Sequence, residues 1–223
     1  MRNGMANQKA VRGITVVALV LLQIILVFSL PGAVRATPFV ERAKLVGTGI
    51  RVLDEFGNSV AISGNTALVG AHANDAKGFN AGSAFVFTRD AAGVWTQQTR
   101  LHPDDPAMHR FFGYSVAIDG DTALIGANGN DEIMPTPPSA AYIFTRNPAT
   151  GVWTQQQKLT AADGVLGDDF GSAVSLSGNT ALVGAFGHNN GSGPNSGAAY
   201  IFTRDPGTGT WSQQTKLVAS DTK

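Results

Sequence analysis

A 16-residue phrase is written three times along this chain. Phe56-Gly57-Asn58-Ser59-Val60-Ala61-Ile62-Ser63-Gly64-Asn65-Thr66-Ala67-Leu68-Val69-Gly70-Ala71 returns at Phe112 to Ala127 and at Phe170 to Ala185, 56 and then 58 residues on. Each copy continues to an aromatic segment ending Phe-Thr-Arg (Phe87, Phe144, Phe202), then a Trp (Trp95, Trp153, Trp211) and, six residues later, a Leu (Leu101, Leu159, Leu217). A period of this size belongs to repeat architectures, in which a unit buries its apolar face only against a neighbour.

The first 36 residues stand apart from this frame. Arg2, Lys9 and Arg12 precede a 17-residue apolar run from Ile14 to Leu30, followed by Pro31, Gly32 and the small-residue pattern Val34-Arg35-Ala36. This reads as a secretory signal peptide cut after Ala36. A retained membrane anchor is the alternative, and it is the one reading that gives the chain a membrane contact. Under either reading the repeats lie outside the cytoplasm, secreted or at the cell surface. Beyond Ala36 the chain has 12 basic against 16 acidic residues, a net charge of −4. That balance argues against nucleic acid or an anionic membrane as partner. There is no cysteine, which removes thiolate chemistry and cysteine-ligated metals and leaves core packing to hold an exported fold.

Within each copy the apolar residues alternate or form short solid runs, broken by Gly, Asn, Asp and Pro, as short strands joined by turns require. Val60 and Ile62 share one face; Ala67-Leu68-Val69 is solid, as an inner strand covered on both faces is. Between them stands a Gly-centred hairpin turn, Ser63-Gly64-Asn65, repeated as Asp119-Gly120-Asp121 and Ser177-Gly178-Asn179. A third strand places Phe85 with Phe87, Tyr142 with Phe144 and Tyr200 with Phe202 on one face, and a fourth begins at the Trp. The fold class expected is all-β: three four-stranded antiparallel β-propeller blades at 56–101, 112–159 and 170–217, the strands of an incomplete propeller. Residues 37–55 would supply the outer strand of a preceding blade and its connection, since Phe39 lies six before Leu45 as each Trp lies six before its Leu.

The Phe-Gly opening and Gly-Ala closing of each inner hairpin resemble FG-GAP repeats, the blades of the integrin α-chain propeller. The nearest resemblance is to the bacterial variant, through Phe-Thr-Arg and Trp-x-Gln-Gln (Trp95, Gln97, Gln98; Trp153, Gln155, Gln156; Trp211, Gln213, Gln214). The resemblance implies an extracellular recognition propeller. It departs at one point: integrin-type repeats hold a calcium loop between the two signatures, and here that interval is a tight turn without alternating oxygen ligands. No metal site and no cofactor are therefore expected.

Strand alternation puts the second-to-third and fourth-to-first connections on one face. There, residues 72–81, 128–139 and 186–196 differ from copy to copy, while the turns of the opposite face nearly repeat. Variable loops on a constant scaffold point to a binding face for a protein or glycan. The candidate residues are His72, Asn74, Asp75, Lys77 and Phe79; Asn128, Asn130, Asp131 and Glu132; and His188, Asn189, Asn190 and Asn195. Asp105, Asp163 and Asp221 recur four residues after the Leu and are read as Asx-turn or loop-capping residues. No catalytic motif is present, so the chain is read as a non-enzyme. The alternatives are a structural fragment of a larger propeller, and a hydrolase acting at the loop face, which a carboxylate or histidine dyad within hydrogen-bond reach would favour. Closure takes four to eight blades; three leave an apolar face at each end, so a dimer or larger assembly, or a truncated reading frame, is expected.

Overall fold

The computed structural model describes residues 40–129, 139–191 and 195–220. The chain divides into compact units spanning residues 1–42 and 43–223, and every strand among the described residues belongs to the second. Its strands are β1 (Val60–Ser63), β2 (Thr66–Ala71), β3 (Ser83–Arg89), β4 (Trp95–Leu101), β5 (Phe112–Asp119), β6 (Thr122–Ala127), β7 (Ala140–Arg146), β8 (Trp153–Leu159), β9 (Phe170–Ser177), β10 (Thr180–Ala185), β11 (Ala198–Arg204) and β12 (Trp211–Leu217). They form three four-stranded sheets in chain order, antiparallel throughout, with no helix among the described residues. These are propeller blades in series; the ring is not closed. The solid apolar runs are inner strands, and β2 is buried along its whole length.

Each seam between blades is a mixed core. Leu68, Val86 and Leu101 of the first blade pack with Val116, Ile118, Phe144 and Trp153 of the second. Leu124, Ile143 and Leu159 of the second pack with Val183, Phe202 and Trp211 of the third. The period thus follows from burial: each blade's apolar face is covered by the next.

The repeated glycines are fixed by contact across these seams. A Cβ on Gly70 would stand 2.0 Å from the Gly113 carbonyl oxygen, and one on Gly126 would stand 1.9 Å from that of Gly171. So the Gly of the first and second Gly-Ala pairs touches the Gly of the next Phe-Gly, backbone against backbone. Ser59 and Ser115 donate their hydroxyls to the same two carbonyls, at 2.8 and 2.7 Å.

The Trp-x-Gln-Gln signature has an equally local cause. A β-bulge interrupts the outer pair of every blade, leaving Gln98, Gln156 and Gln214 as the extra residues. A bulge re-aims a side chain, and Gln98 and Gln156 turn toward the next blade. There they donate to the Gly151 and Gly209 carbonyls at 2.9 and 3.1 Å and accept from the indoles of Trp153 and Trp211 at 3.2 and 3.3 Å. The other glutamine of each pair, Gln97, Gln155 or Gln213, accepts from the backbone N–H of Thr48, Asp104 or Ala162, fixing the connection that enters its blade.

Two expectations need correction. No strand forms over residues 40–45; Phe39 lies outside the described residues. A fourth strand takes its ladder from the third strand of its own blade, as β12 does from β11. Leu45 still packs against the Phe85 and Phe87 core of the first blade. The recurring aspartates do more than shape their own turns. Asp105 accepts from the Tyr142 hydroxyl (2.9 Å) and Lys158 (2.6 Å) of the second blade, and Asp163 accepts from Tyr200 (3.0 Å) and Lys216 (2.8 Å) of the third. Where the series begins, Gly49 replaces the aspartate and Phe85 and Arg100 replace Tyr and Lys. Asp221 and residues 1–39, which include the expected signal segment 1–36, lie outside the described residues.

Candidate functional site

The loop face is built on a pair of positions that precede each Phe-Gly. Two residues ahead stand Asp54, Arg110 and Asp168, all buried. Asp54 and Asp168 accept from the backbone N–H three residues earlier, at Arg51 (2.7 Å) and Val165 (2.9 Å). Each also grips the loop after the second strand of its blade: Asn74 donates its amide to Asp54 at 2.7 Å, and His188 meets Asp168 through Nδ1 at 2.8 Å. Asn74 and His188 both lie three residues after the Gly-Ala, so one repeat position serves as the loop anchor in both blades. Arg110, in the second blade, instead stands 3.6 Å from Asp105.

One residue ahead of each Phe-Gly, Glu55, Phe111 and Asp169 all have left-handed backbone, with φ of 55°, 54° and 55°. Non-glycine residues avoid this region, and their recurrence there at one position is imposed by the surrounding turn. The backbone is constant and the side chain differs each time: acidic, aromatic, acidic. Glu55 meets His72 at 3.3 Å, and Phe111 stands edge-on to His72 with ring centroids 5.6 Å apart. Tyr114 also faces His72, Phe79 faces His109, and His109 faces Phe111, an aromatic row along the first and second blades.

The expected candidates divide by burial. Asp75, Lys77, Phe79, Asn189 and Asn195 are exposed on this face. Asn74, Asn128 and His188 turn inward; Asn74 accepts from Ser83 at 2.7 Å, and the Asn128 carbonyl accepts from Ser139 at 2.5 Å. Asn190 is held to its own loop through the Gly197 carbonyl at 3.1 Å. Half-buried His72 is held below its ordinary pKa by burial, with Glu55 opposing. Asn130, Asp131 and Glu132 lie outside the described residues. Sequence reasoning passed over Glu55, Phe111, Asp169 and His109. The available signal was the change of residue type immediately before each Phe-Gly.

The third blade carries a denser polar cluster. His188 Nε2 lies 2.7 Å from Lys216 Nζ, and Lys216 in turn binds Asp163. With Lys216 donating to Nε2, the imidazole carries its proton on Nδ1 and gives it to Asp168. Lys216 and Tyr200 hold the Asp163 carboxyl below its ordinary pKa, while burial and Asp163 push the Tyr200 hydroxyl up. At Asp105, burial raises the pKa but the Lys158 and Tyr142 hydrogen bonds outweigh it, leaving that carboxyl low as well. A cleft of about 170 Å³ opens beside this cluster, lined by Ser139, Thr160, Val165 and Asp168 among others. Among the described residues no group of three or more His, Cys, Asp or Glu could hold a metal ion. Nor is any helix there long and apolar enough to cross a membrane.

Comparison with curated proteins finds no match. Among solved structures, similarity extends to Saccharomyces cerevisiae Sqt1 at 8% identity and TM-score 0.46, covering 76% of this chain and 37% of that one. It extends also to the Pseudomonas aeruginosa periplasmic gluconolactonase PpgL at 12% identity and TM-score 0.38, covering 74% and 58%. A third, YjhT, is 16% identical with TM-score 0.39, covering 73% and 52%. The chain thus spans between 37% and 58% of the lengths of these three proteins. The family model described as FG-GAP repeat matches three consecutive segments, residues 39–87, 95–144 and 153–202, more than half of the sequence. With the glycine seams and bulged glutamines that explain its signatures, the chain belongs to the FG-GAP repeat family.

Proposed function

We propose that this β-propeller repeat protein is an exported recognition module that binds a protein or glycan through its loop face. One observation carries the reading: Glu55, Phe111 and Asp169 share a single left-handed backbone conformation and differ in side chain. Binding sites recur on loops held by a rigid scaffold, and here the scaffold fixes where each side chain leaves the blade while leaving its chemistry free. Buried aspartates anchor the same loops in the first and third blades, so the face is ordered before a ligand arrives, which lowers the entropy lost on binding. Aromatic rings beside carboxylates suit a ligand with both apolar faces and hydroxyls or cations, as glycans and protein loops have.

The test is a glycan array probed with the chain and with a Glu55→Asn, Phe111→Asn, Asp169→Asn variant. Asparagine tolerates the left-handed region, so the variant keeps the fold. Binding of a defined glycan that the variant loses supports the reading; equal binding by both contradicts it. Export is tested separately by N-terminal sequencing of secreted chain, expected to begin at Thr37.

A hydrolase reading has the Asp168–His188 pair in its favour, a carboxylate and imidazole at 2.8 Å. Two observations weigh against it. His188 is buried with Nε2 occupied by Lys216, whereas a general base needs that nitrogen free to take a proton. The first blade, moreover, uses Asn74, which cannot act as a base, at the same position. A structural fragment without ligand is the outcome if neither array nor pull-down finds a partner.

A further inference from the structure

The two open ends of the blade series carry the two halves of one seam. Leu68 and Leu124 are both 0% exposed under the following blade, while Leu182, the same position in the third blade, is 39% exposed. Leu101 and Leu159 are 4% and 2% exposed, and Leu217 is 46%. At the other end, Val116 and Ile118 are buried by the first blade, while their equivalents Val60 and Ile62 are 69% and 65% exposed. The glycines repeat the pattern. Gly184 meets only Ala173 of its own blade, at 3.3 Å, where Gly70 and Gly126 meet the carbonyl of the following blade, and nothing lies within 4 Å of where a Gly57 Cβ would be. Hydrogen-bonding groups are left over in register too. Among the described residues Gln214, bulged like Gln98 and Gln156, bonds Ser212 of its own strand, at 3.2 Å, and no group of another blade. The internal seams show what it matches at the other end, the Trp95 indole and the Gly93 carbonyl.

We propose that the outer face of the third blade seats the first blade of a second copy of this chain, head to tail, by the geometry of the two internal seams. The occupant is identified by complementarity. Leu182, Ile201 and Leu217 are the same residue types as Leu124, Ile143 and Leu159, and Val60, Ile62 and Trp95 match what those residues meet across the internal seams. Leu45 now takes the place that Leu101 and Leu159 take in the internal seams, so Leu217 of the incoming copy displaces it. The contact is heterologous, and repetition gives a ring or an open string rather than a two-fold dimer. This inference is independent of the loop-face reading, since it uses neither loop nor ligand.

Because every contact needs one head and one tail, two variants separate the possibilities. Val60→Asp with Ile62→Asp disables the head; Leu182→Asp with Leu217→Asp disables the tail. All four residues are exposed, so the circular dichroism spectrum should match that of the unaltered chain, and melting should match it in dilute solution, where assembly adds no stability. In light scattering and sedimentation across a concentration series, the chain itself should form species larger than a monomer, and each variant alone should be a monomer. An equimolar mixture of the two should form a 1:1 heterodimer and nothing larger. A monomeric unaltered chain overturns the proposal, as does aggregation that persists in both variants. A tail-disabled variant that still dimerises alone would mean a head-to-head contact and overturns it equally.

Discussion

Gly126 and Gly184 hold the same place in successive blades, neither with left-handed backbone, yet the structure assigns them opposite sensitivities. At Gly126 an added methyl would meet the Gly171 carbonyl oxygen at 1.9 Å, where ordinary van der Waals contact begins near 3.4 Å. The obstacle is backbone, so the second and third blades must separate by about 1.5 Å, opening the core around Leu124, Ile143 and Trp211. Overpacking typically costs about 1–3 kcal/mol, and with no side chain able to swing aside, Gly126→Ala is expected to lose about 3 kcal/mol. That corresponds to a melting temperature lower by about 6–12 °C. At Gly184 the nearest atom is the Ala173 Cβ at 3.3 Å, a contact relieved by a few tenths of an ångström. Removing a glycine also restricts the unfolded chain, a gain of about 0.4–1 kcal/mol. Gly184→Ala should therefore change stability by less than about 1 kcal/mol. The assay is urea unfolding in dilute solution with matched thermal melts. A Gly126→Ala variant no less stable than Gly184→Ala would refute the claim that the Gly-Ala signature exists to let blades touch.

Three further outcomes follow from the seams and loops. Tyr200→Phe removes the hydroxyl that binds Asp163 but keeps the ring, so it should cost about 1 kcal/mol in urea unfolding, with an unchanged fold, since Phe85 is the natural residue there in the first blade. Burial and the Arg100 charge hold His102 down at about 4. Its unfolded form takes a proton near pH 6.5 while the folded form resists. Its contribution to stability is thus full above about pH 6.5 and is lost as pH falls toward 4, and His102→Gln should flatten that part of the stability profile. Millimolar calcium should leave the melting temperature where chelator leaves it, because a ligand stabilises only by binding the native state; a rise of several degrees would reveal a site.

The strand positions were legible in the sequence because burial repeats. Alternation at Val60 and Ile62, a solid run at Leu68, and a Gly-centred turn each have one strand-level meaning, and the same residues recur in all three blades. Over residues 40–45 the six-residue spacing marks burial rather than a ladder: Leu45 packs on the Phe85 and Phe87 core without belonging to a strand. The site was harder to read. A polar loop residue looks the same whether it faces solvent or a buried aspartate, so Asn74 and His188 read as surface when they are anchors. Lys77 and Phe79, read in the same way, do stand exposed on this face. The left-handed backbone at Glu55, Phe111 and Asp169 left no sign in composition, since no glycine marks it. The second glutamine of Trp-x-Gln-Gln was visible as a signature, but only the bulge explains why it reaches the next blade.

Recognition through the loop face is the central assignment, and a comparison of faces tests it directly. Binding to the glycan array would be measured for the unaltered chain, for the Glu55→Asn, Phe111→Asn, Asp169→Asn variant, and for Val94→Ser with Val152→Ser, which alters exposed residues at the opposite ends of the strands. The expected result is a defined glycan signal kept by the opposite-face variant and lost by the loop-face variant, with equal melting temperatures in all three. A signal lost only in the opposite-face variant, or unchanged in both, would contradict the assignment of recognition to the loops.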